Sequence, residues 1–337
     1  MKTKMILFTK KDTAELTDGD FDAPKINEVT VCLEYSAISS GTERANIQGL
    51  RNSYNMGENE TPHFPICCGY SAAGIVTDIG EDVTDIKKGD RVVVYWGKHK
   101  KNITISRNNV IKIPDGVPSE EASMALISTF PLAAIRKTRL EIGESAMVMG
   151  LGILGVFAVQ ELKAAGAMPI IAVDPVAERR EFALKMGADF ALDPTNADFC
   201  SDVKKITDGG VNVVIEVTGS GTGLIQALDC TRKFGRVALL GCTRSSDFHI
   251  DYYSKVHAPG ITIVGAHTNA RPEKSYPGYW THEDDIKAVL RLIQGGRLNF
   301  KDMICEIHSP EEAPSVYTRL IHDRAFPIGV LFDWSKV

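Results

Sequence analysis

The 337-residue sequence has no run of Lys and Arg, and 38 basic residues against 43 acidic ones leave a formal net charge of −5. A mildly acidic chain without a basic stripe lacks the footprint of a nucleic-acid or anionic-membrane binder. Long apolar runs are missing too. The longest, Ala146 to Val159, is 14 residues and is interrupted by glycines, too short to span a bilayer. Only Met5 to Phe8 is apolar after Lys2 and Lys4, so no signal peptide is read there. There is no C-x-x-C pair, and the seven cysteines are odd in number and scattered apart from the vicinal Cys67-Cys68. That excludes a disulfide scaffold and sets the expectation of a reducing, cytoplasmic setting. Repeats and low-complexity tracts are absent as well.

What is present is ordinary globular composition, 44% apolar and 24% charged, in a length that suits two domains. Residues 1 to about 120 read as short strands, among them Val29 to Ile38, Gly74 to Ile79, Arg91 to Trp96 and Asn102 to Ile113. Turns such as Lys88-Gly89-Asp90 and Pro114-Asp115-Gly116 separate them, the texture of a barrel or sandwich. From about residue 127 strands alternate with helices, which predicts a doubly wound parallel sheet of about six strands. The last 70 or so residues hold a helix after Glu283-Asp284-Asp285 and another opened by the capping box Ser309-Pro310-Glu311-Glu312. The terminal strand-like run, Ile328 to Trp334, has no neighbour in sequence to pair with and is expected to return to the first domain.

Gly150-Leu151-Gly152-Ile153-Leu154-Gly155 is a G-x-G-x-x-G between a strand and a helix, and the next strand ends in Asp174, 19 residues beyond Gly155. Gly150 permits the tight turn, Gly152 lets backbone N–H groups reach a pyrophosphate, and Gly155 allows close strand–helix packing. Ile153 and Leu154 open the helix whose N-terminus stabilises phosphate charge. A carboxylate at Asp174 accepts the adenosine ribose hydroxyls and repels a 2′-phosphate, selecting NAD, with Arg179 and Arg180 just downstream as a partial offset.

With these residues in register, the whole chain resembles the medium-chain dehydrogenase/reductase superfamily of alcohol and polyol dehydrogenases. Gly74-Ile75-Val76, Gly80, Val83, Gly89-Asp90-Arg91-Val92-Val93 and Ile113-Pro114-Asp115-Gly116 match its barrel, and Met149 to Gly155 with Asp174 matches its coenzyme motif. Gly235-Arg236-Val237 with Gly241 matches a late strand. The resemblance implies an α/β fold in which a Rossmann domain (127–264) is inserted in a GroES-like β-barrel catalytic domain (1–126 plus 265–337), with the active site in the cleft. It also implies a homodimer or homotetramer acting on a small-molecule substrate.

The departures from the family pattern concern its metal. Where zinc members carry Cys, His and a third Cys or acid, this chain reads Ser40 in Ser40-Gly41-Thr42-Glu43, Tyr70 in Gly69-Tyr70-Ser71, and Ala125. A hydroxyl, a phenol and a methyl group do not make a zinc site, and no structural-zinc cysteines occur between Tyr95 and Val110. No metal is therefore expected, and Cys67, Cys68 and His63 read as buried thiols and a loop histidine. This pattern is similar to a zinc-free sub-branch that includes bacteriochlorophyllide dehydrogenases and sugar-pathway dehydrogenases. By resemblance Thr42 is the hydroxyl that binds substrate. Tyr70 at the ligand position is either an aromatic that fills the space or a general base whose phenol a neighbouring cation, Arg44 or the oxidised nicotinamide itself, would lower, with Glu43 as the acid that orients it. Thr129, Thr218, Gly241 and Cys242 are expected at the coenzyme, with His267 nearby, Arg271 at the pyrophosphate, and Tyr276, Tyr279 and Trp280 over the substrate. The reading is NAD-dependent interconversion of a secondary alcohol and ketone of a sugar, polyol or derivative. The alternatives are a zinc-free enone or quinone reductase and a catalytically silent dinucleotide-binding protein.

Overall fold

Apolar side chains at a period of two make the first strands. In the computed structural model, which describes residues 1–50, 62–244, 246 and 248–337, Ile6 and Phe8 point inward from β1 (Lys2–Lys10), which forms a hairpin with β2 (Thr13–Asp20). Val29, Val31 and Leu33 are buried along β3 (Glu28–Ala37), which leads into the short helix α1 (Ser40–Ile47). β4 (Ser71–Ile79), β5 (Arg91–Tyr95), β6 (Asn102–Ser106) and β7 (Val110–Lys112) follow, then α2 (Ser119–Ala122) and α3 (Ala125–Lys137).

The chain divides into two units, 1–127 with 286–337 and 128–285. The second is the doubly wound sheet. Its elements are β8 (Ala146–Met149), α4 (Ile153–Ala164), β9 (Ile170–Val173), α5 (Ala177–Lys185), β10 (Phe190–Leu192), α6 (Phe199–Ile206), β11 (Val211–Glu216), α7 (Gly221–Cys230), β12 (Thr231–Leu239) and β13 (Thr262–Gly265). All pairs are parallel, in the order β10-β9-β8-β11-β12-β13. β8 and β9 are buried along their whole length, as strands covered on both faces must be. The chain order reverses at β8, which places the β8–α4 loop at the switch point where ligands bind.

The first unit is completed by α8 (His282–Gln294) from Ile286 onward, β14 (Ile304–His308), α9 (Ala313–His322) and β15 (Gly329–Asp333). β15 lies between β14 and β3 in a seven-stranded sheet, pairing Leu331 with Ala37, so the orphan run of the sequence does return to the first domain. Its core gathers Phe8, Leu33, Val76, Val92, Tyr317, Phe332 and Trp334. The capping box at Ser309 forms as read, although its first turn, Pro310–Glu312, is a 3₁₀ turn ahead of α9.

One expected boundary moves. Residues 265–285 belong to the second unit, because Lys137 donates to the Ala270 carbonyl at 2.6 Å and Arg271 binds both Asp285 and the Thr129 carbonyl. Among the described residues no helix is long and apolar enough to cross a membrane.

Candidate functional site

In the second unit, β8 ends at Met149 and the backbone turns through Gly150 at φ +95°, a left-handed conformation that favours glycine. Gly152 is the N-cap of α4, and no heavy atom lies within 4 Å of where its Cβ would sit, so the space beside it is open to a ligand. A Cβ on Gly155 would fall 1.9 Å from the Gly150 carbonyl oxygen. Gly155→Ala should therefore force the loop open at a cost of about 1–3 kcal/mol, as overpacking does. The check is a denaturant midpoint beside a dinucleotide titration, with both expected to fall.

Asp174 follows β9 and is 5% exposed. Its Oδ2 accepts the Leu151 N–H at 2.9 Å and its Oδ1 the Val176 N–H at 2.9 Å, so the carboxylate braces the glycine loop. Each oxygen keeps a second acceptor site for a ribose hydroxyl. Arg179 stands 3.8 Å from Oδ2, while Arg180 turns to the Asp174 carbonyl and to Asp193. The loops after β11 and β12 meet backbone to backbone, since a Cβ on Gly241 would lie 2.3 Å from the Gly219 nitrogen. Thr218 is fixed there by Glu216, which takes its hydroxyl and its N–H, and burial pushes the Glu216 carboxyl upward. Cys242 is exposed beyond Gly241. Ile153 is buried and Leu154 half-buried at the start of α4. Open turn, helix N-terminus, acid and strand-end loops together fit a dinucleotide.

Two expected coenzyme contacts need correction. Arg271 does not reach out to a pyrophosphate: it is paired with Asp285, donates to the Thr129, Trp280 and Thr281 carbonyls, and leaves 5% of its side chain exposed. Thr129 has no exposed surface, and its carbonyl serves that arginine. His267 stays on the exposed loop after β13, where burial and Lys137 hold its imidazole below the usual value. Trp280 packs under Arg136, whose guanidinium carbon is 3.7 Å from the ring centre, while Tyr276 and Tyr279 stack on each other at 5.1 Å. Asp285, fully buried between Arg136 and Arg271, carries no sequence signal beyond an acidic helix start.

In the first unit, Ser39 caps α1 and Thr42 is exposed in its first turn. The Tyr70 phenol donates to Ser39 Oγ and has the Thr42 hydroxyl as a second partner. Burial pushes it up to about 12, against the lowering pull of those two hydroxyls. The protein surroundings of the phenol thus raise it rather than lower it. Arg44, the cation invoked for it, instead donates to the Leu320 and Asp323 carbonyls. Trp96, just past β5, sits at φ +59° with 38% of its surface exposed and its ring centre 5.5 Å from that of Tyr70. Strained backbone of this kind clusters at functional positions.

Glu43 meets Ser39, the acceptor of the Tyr70 phenol. Its buried carboxylate accepts the Ser39 N–H at 2.9 Å, His99 Nε2 at 3.2 Å and the Tyr317 hydroxyl at 2.5 Å. His99, itself fully buried, meets Ser36 Oγ through Nδ1 at 2.7 Å, and Trp334 Nε1 donates to the same Ser36 oxygen at 2.8 Å. Nothing in the spacing marks His99, Tyr317 or Trp334 as partners of Glu43.

Ser40 is half-buried and Ala125 wholly buried at the start of α3. With Tyr70 they do not fit a zinc centre. Among the described residues no three His, Cys, Asp or Glu side chains gather as metal ligands do. Burial raises both the Cys67 and Cys68 thiols, which keeps them protonated, and Cys68 accepts an amide N–H of Asn46.

Comparison with known proteins agrees with this architecture. Residues 25–117 match the alcohol dehydrogenase GroES-like domain, and residues 154–285 match the zinc-binding dehydrogenase model, about two thirds of the chain between them. D-guloside 3-dehydrogenase of Escherichia coli K12 is 27% identical over 98% of this chain and 100% of its own length. Benzyl alcohol dehydrogenase of Acinetobacter calcoaceticus superposes with a TM-score of 0.84 at 21% identity, covering 99% of each chain. Two further structures have TM-scores of 0.82: a Sinorhizobium meliloti 1021 dehydrogenase bound to NADP (19% identity, 99% of each chain) and an Escherichia coli CFT073 alcohol dehydrogenase complexed with NADH (17% identity, 98% of this chain and 99% of the other). The two family models, which together span about two thirds of the chain, make it a member of the medium-chain dehydrogenase/reductase superfamily.

Proposed function

We propose that the protein is an NAD(H)-dependent oxidoreductase that interconverts a secondary alcohol and a ketone of a sugar, polyol or derivative, without catalytic zinc. The observation that carries this reading is the phenol of Tyr70 at a former ligand position, held between the hydroxyls of Ser39 and Thr42. The full-length likeness to D-guloside 3-dehydrogenase supports a sugar-type secondary alcohol. The exposed face of Trp96 beside Tyr70 offers a surface on which such a ring would stack.

The bound dinucleotide supplies or accepts the hydride. The chain's own residues must then handle the proton. A phenol pushed up to about 12 keeps its proton at neutral pH, so in ketone reduction Tyr70 acts as the acid, its O–H turning from Ser39 Oγ to the carbonyl oxygen. In alcohol oxidation it must first give up that proton through Thr42 to solvent before it can take the one from the substrate hydroxyl. Exposed Thr42 orients the substrate oxygen and passes the proton between Tyr70 and solvent. We further propose a cytoplasmic homodimer or homotetramer.

A panel of sugars and polyols assayed for NAD reduction, with elemental analysis alongside, tests the reading. Turnover that survives chelator treatment is expected. One stoichiometric zinc per chain, with activity lost on its removal, overturns the zinc-free mechanism, and tight NADH binding without turnover overturns the enzyme.

Cofactor choice rests on Asp174. Hydrogen bonds to a charged group contribute about 1.5–3 kcal/mol, so Asp174→Ala should weaken NADH binding about ten- to a hundredfold and erase the preference over NADPH. Fluorescence titration measures both. A wild-type protein that binds NADPH as tightly as NADH would contradict the assignment.

A further inference from the structure

We infer that His99 and Tyr317 are positioning residues for Tyr70, acting through Glu43 and Ser39, an assignment that rests on the proposed role of Tyr70. The hydrogen-bond inventory gives the chain a direction. An ionised carboxylate only accepts, so the nitrogen facing Glu43, His99 Nε2, must carry a proton, and Nδ1 is left to meet Ser36 Oγ, which also accepts the Trp334 indole N–H. The ring proton of His99 therefore sits on Nε2 and points at Glu43 Oε2, where the Tyr317 hydroxyl also donates. Glu43 Oε1 is left to hold the Ser39 N–H, and Ser39 Oγ takes the phenol of Tyr70.

The network runs through groups at 0–1% exposure for His99, Glu43, Tyr317, Ser36 and Trp334. At that burial each donor depends on the protein acceptor it faces, and losing a link lets the next group turn. This chain uses its acid to steady a serine, and a histidine and a tyrosine from far along the sequence to steady the acid. The Ser39 N–H held by Glu43 also ties down the N-terminus of α1, which carries Thr42.

The experiment needs no substrate, so its outcome is independent of whether the proposed reaction is found. The full chain is labelled with ¹³Cζ-tyrosine, and the resonance of Tyr70 among the nine tyrosines is assigned by its loss in Tyr70→Phe. Ser39→Ala sets the position of a Tyr70 phenol without its acceptor. Tyr317→Phe, which deletes one hydroxyl and keeps the ring, is expected to move the Tyr70 resonance at least halfway to the Ser39→Ala position. His99→Leu should do the same, and His99→Gln, which restores a donor toward Glu43, should return it most of the way. A Tyr70 resonance that stays at its wild-type position in folded Tyr317→Phe, while Ser39→Ala moves it, overturns the inference. So does equal displacement by His99→Leu and His99→Gln. Should His99→Leu not fold, Tyr317→Phe decides alone. Where turnover is available, Tyr317→Phe should lower kcat with KM little changed, and should add nothing in a Tyr70→Phe background.

Discussion

Tyr70→Phe is expected to lower kcat for ketone reduction by about 10²- to 10⁴-fold, the range that positioned acid–base groups contribute, with a much smaller change in KM. The ring remains to pack against Trp96 at 5.5 Å, so binding surface is retained and only the proton is lost. The pH profile supplies an independent signature. Because burial pushes the phenol up to about 12, its proton is present throughout the neutral and moderately alkaline range. The reduction rate should show no alkaline fall attributable to Tyr70 below about that value. Steady-state kinetics on Tyr70→Phe and wild type settle the point, and near-normal turnover in the variant would remove Tyr70 from the mechanism while leaving Thr42 in contention. Thr42→Val, by contrast, should raise KM as well, since its exposed hydroxyl is assigned to the substrate oxygen.

The second large effect is on stability. Glu43→Ala leaves three donors facing a vacated site: the Ser39 N–H, His99 Nε2–H and the Tyr317 hydroxyl. Removing one partner from a buried, charged network typically costs about 3–5 kcal/mol, because the groups left behind keep their desolvation penalty without its compensation. Guanidinium unfolding followed by the fluorescence of buried Trp334 should show the transition of the first unit shifting to lower denaturant. Glu43→Gln keeps the volume and one acceptor, yet turns an N–H₂ group toward existing donors, so it should fall between wild type and Glu43→Ala. A midpoint unchanged in Glu43→Ala would mean that the network carries no net stability.

Much of the second unit was legible because its signals are local. Strand, glycine turn, helix and acid come within 30 residues, and each glycine answers to a steric demand that only the absence of a side chain meets, as Gly155 against the Gly150 carbonyl shows. The first unit was harder. Positions 40, 70 and 125 could be compared with a ligand pattern, and the residue types alone told against a zinc set. What surrounds them could not be read, because His99, Tyr317 and Trp334 converge on Glu43 through sheet pairing and helix packing that leave no periodic trace. Arg44 as the cation beside the phenol fails for the same reason, since it is turned toward the Leu320 and Asp323 carbonyls. Arg271 illustrates the matching error in the other unit. A basic residue after the last strand suggested a phosphate contact, but Asp285, 14 positions on, claims it.

The pairing of Ala37 with Leu331 has a consequence for biosynthesis. A growing polypeptide emerging from the ribosome presents β3 long before β15 exists, so the first unit stays an unfinished sheet with an open edge throughout elongation. The inserted unit, continuous in residues 128–285, owes nothing to either flank for its strands and is free to consolidate first. Its dinucleotide cradle would then be ready while the first unit still awaits the arrival of Trp334 beside Ser36.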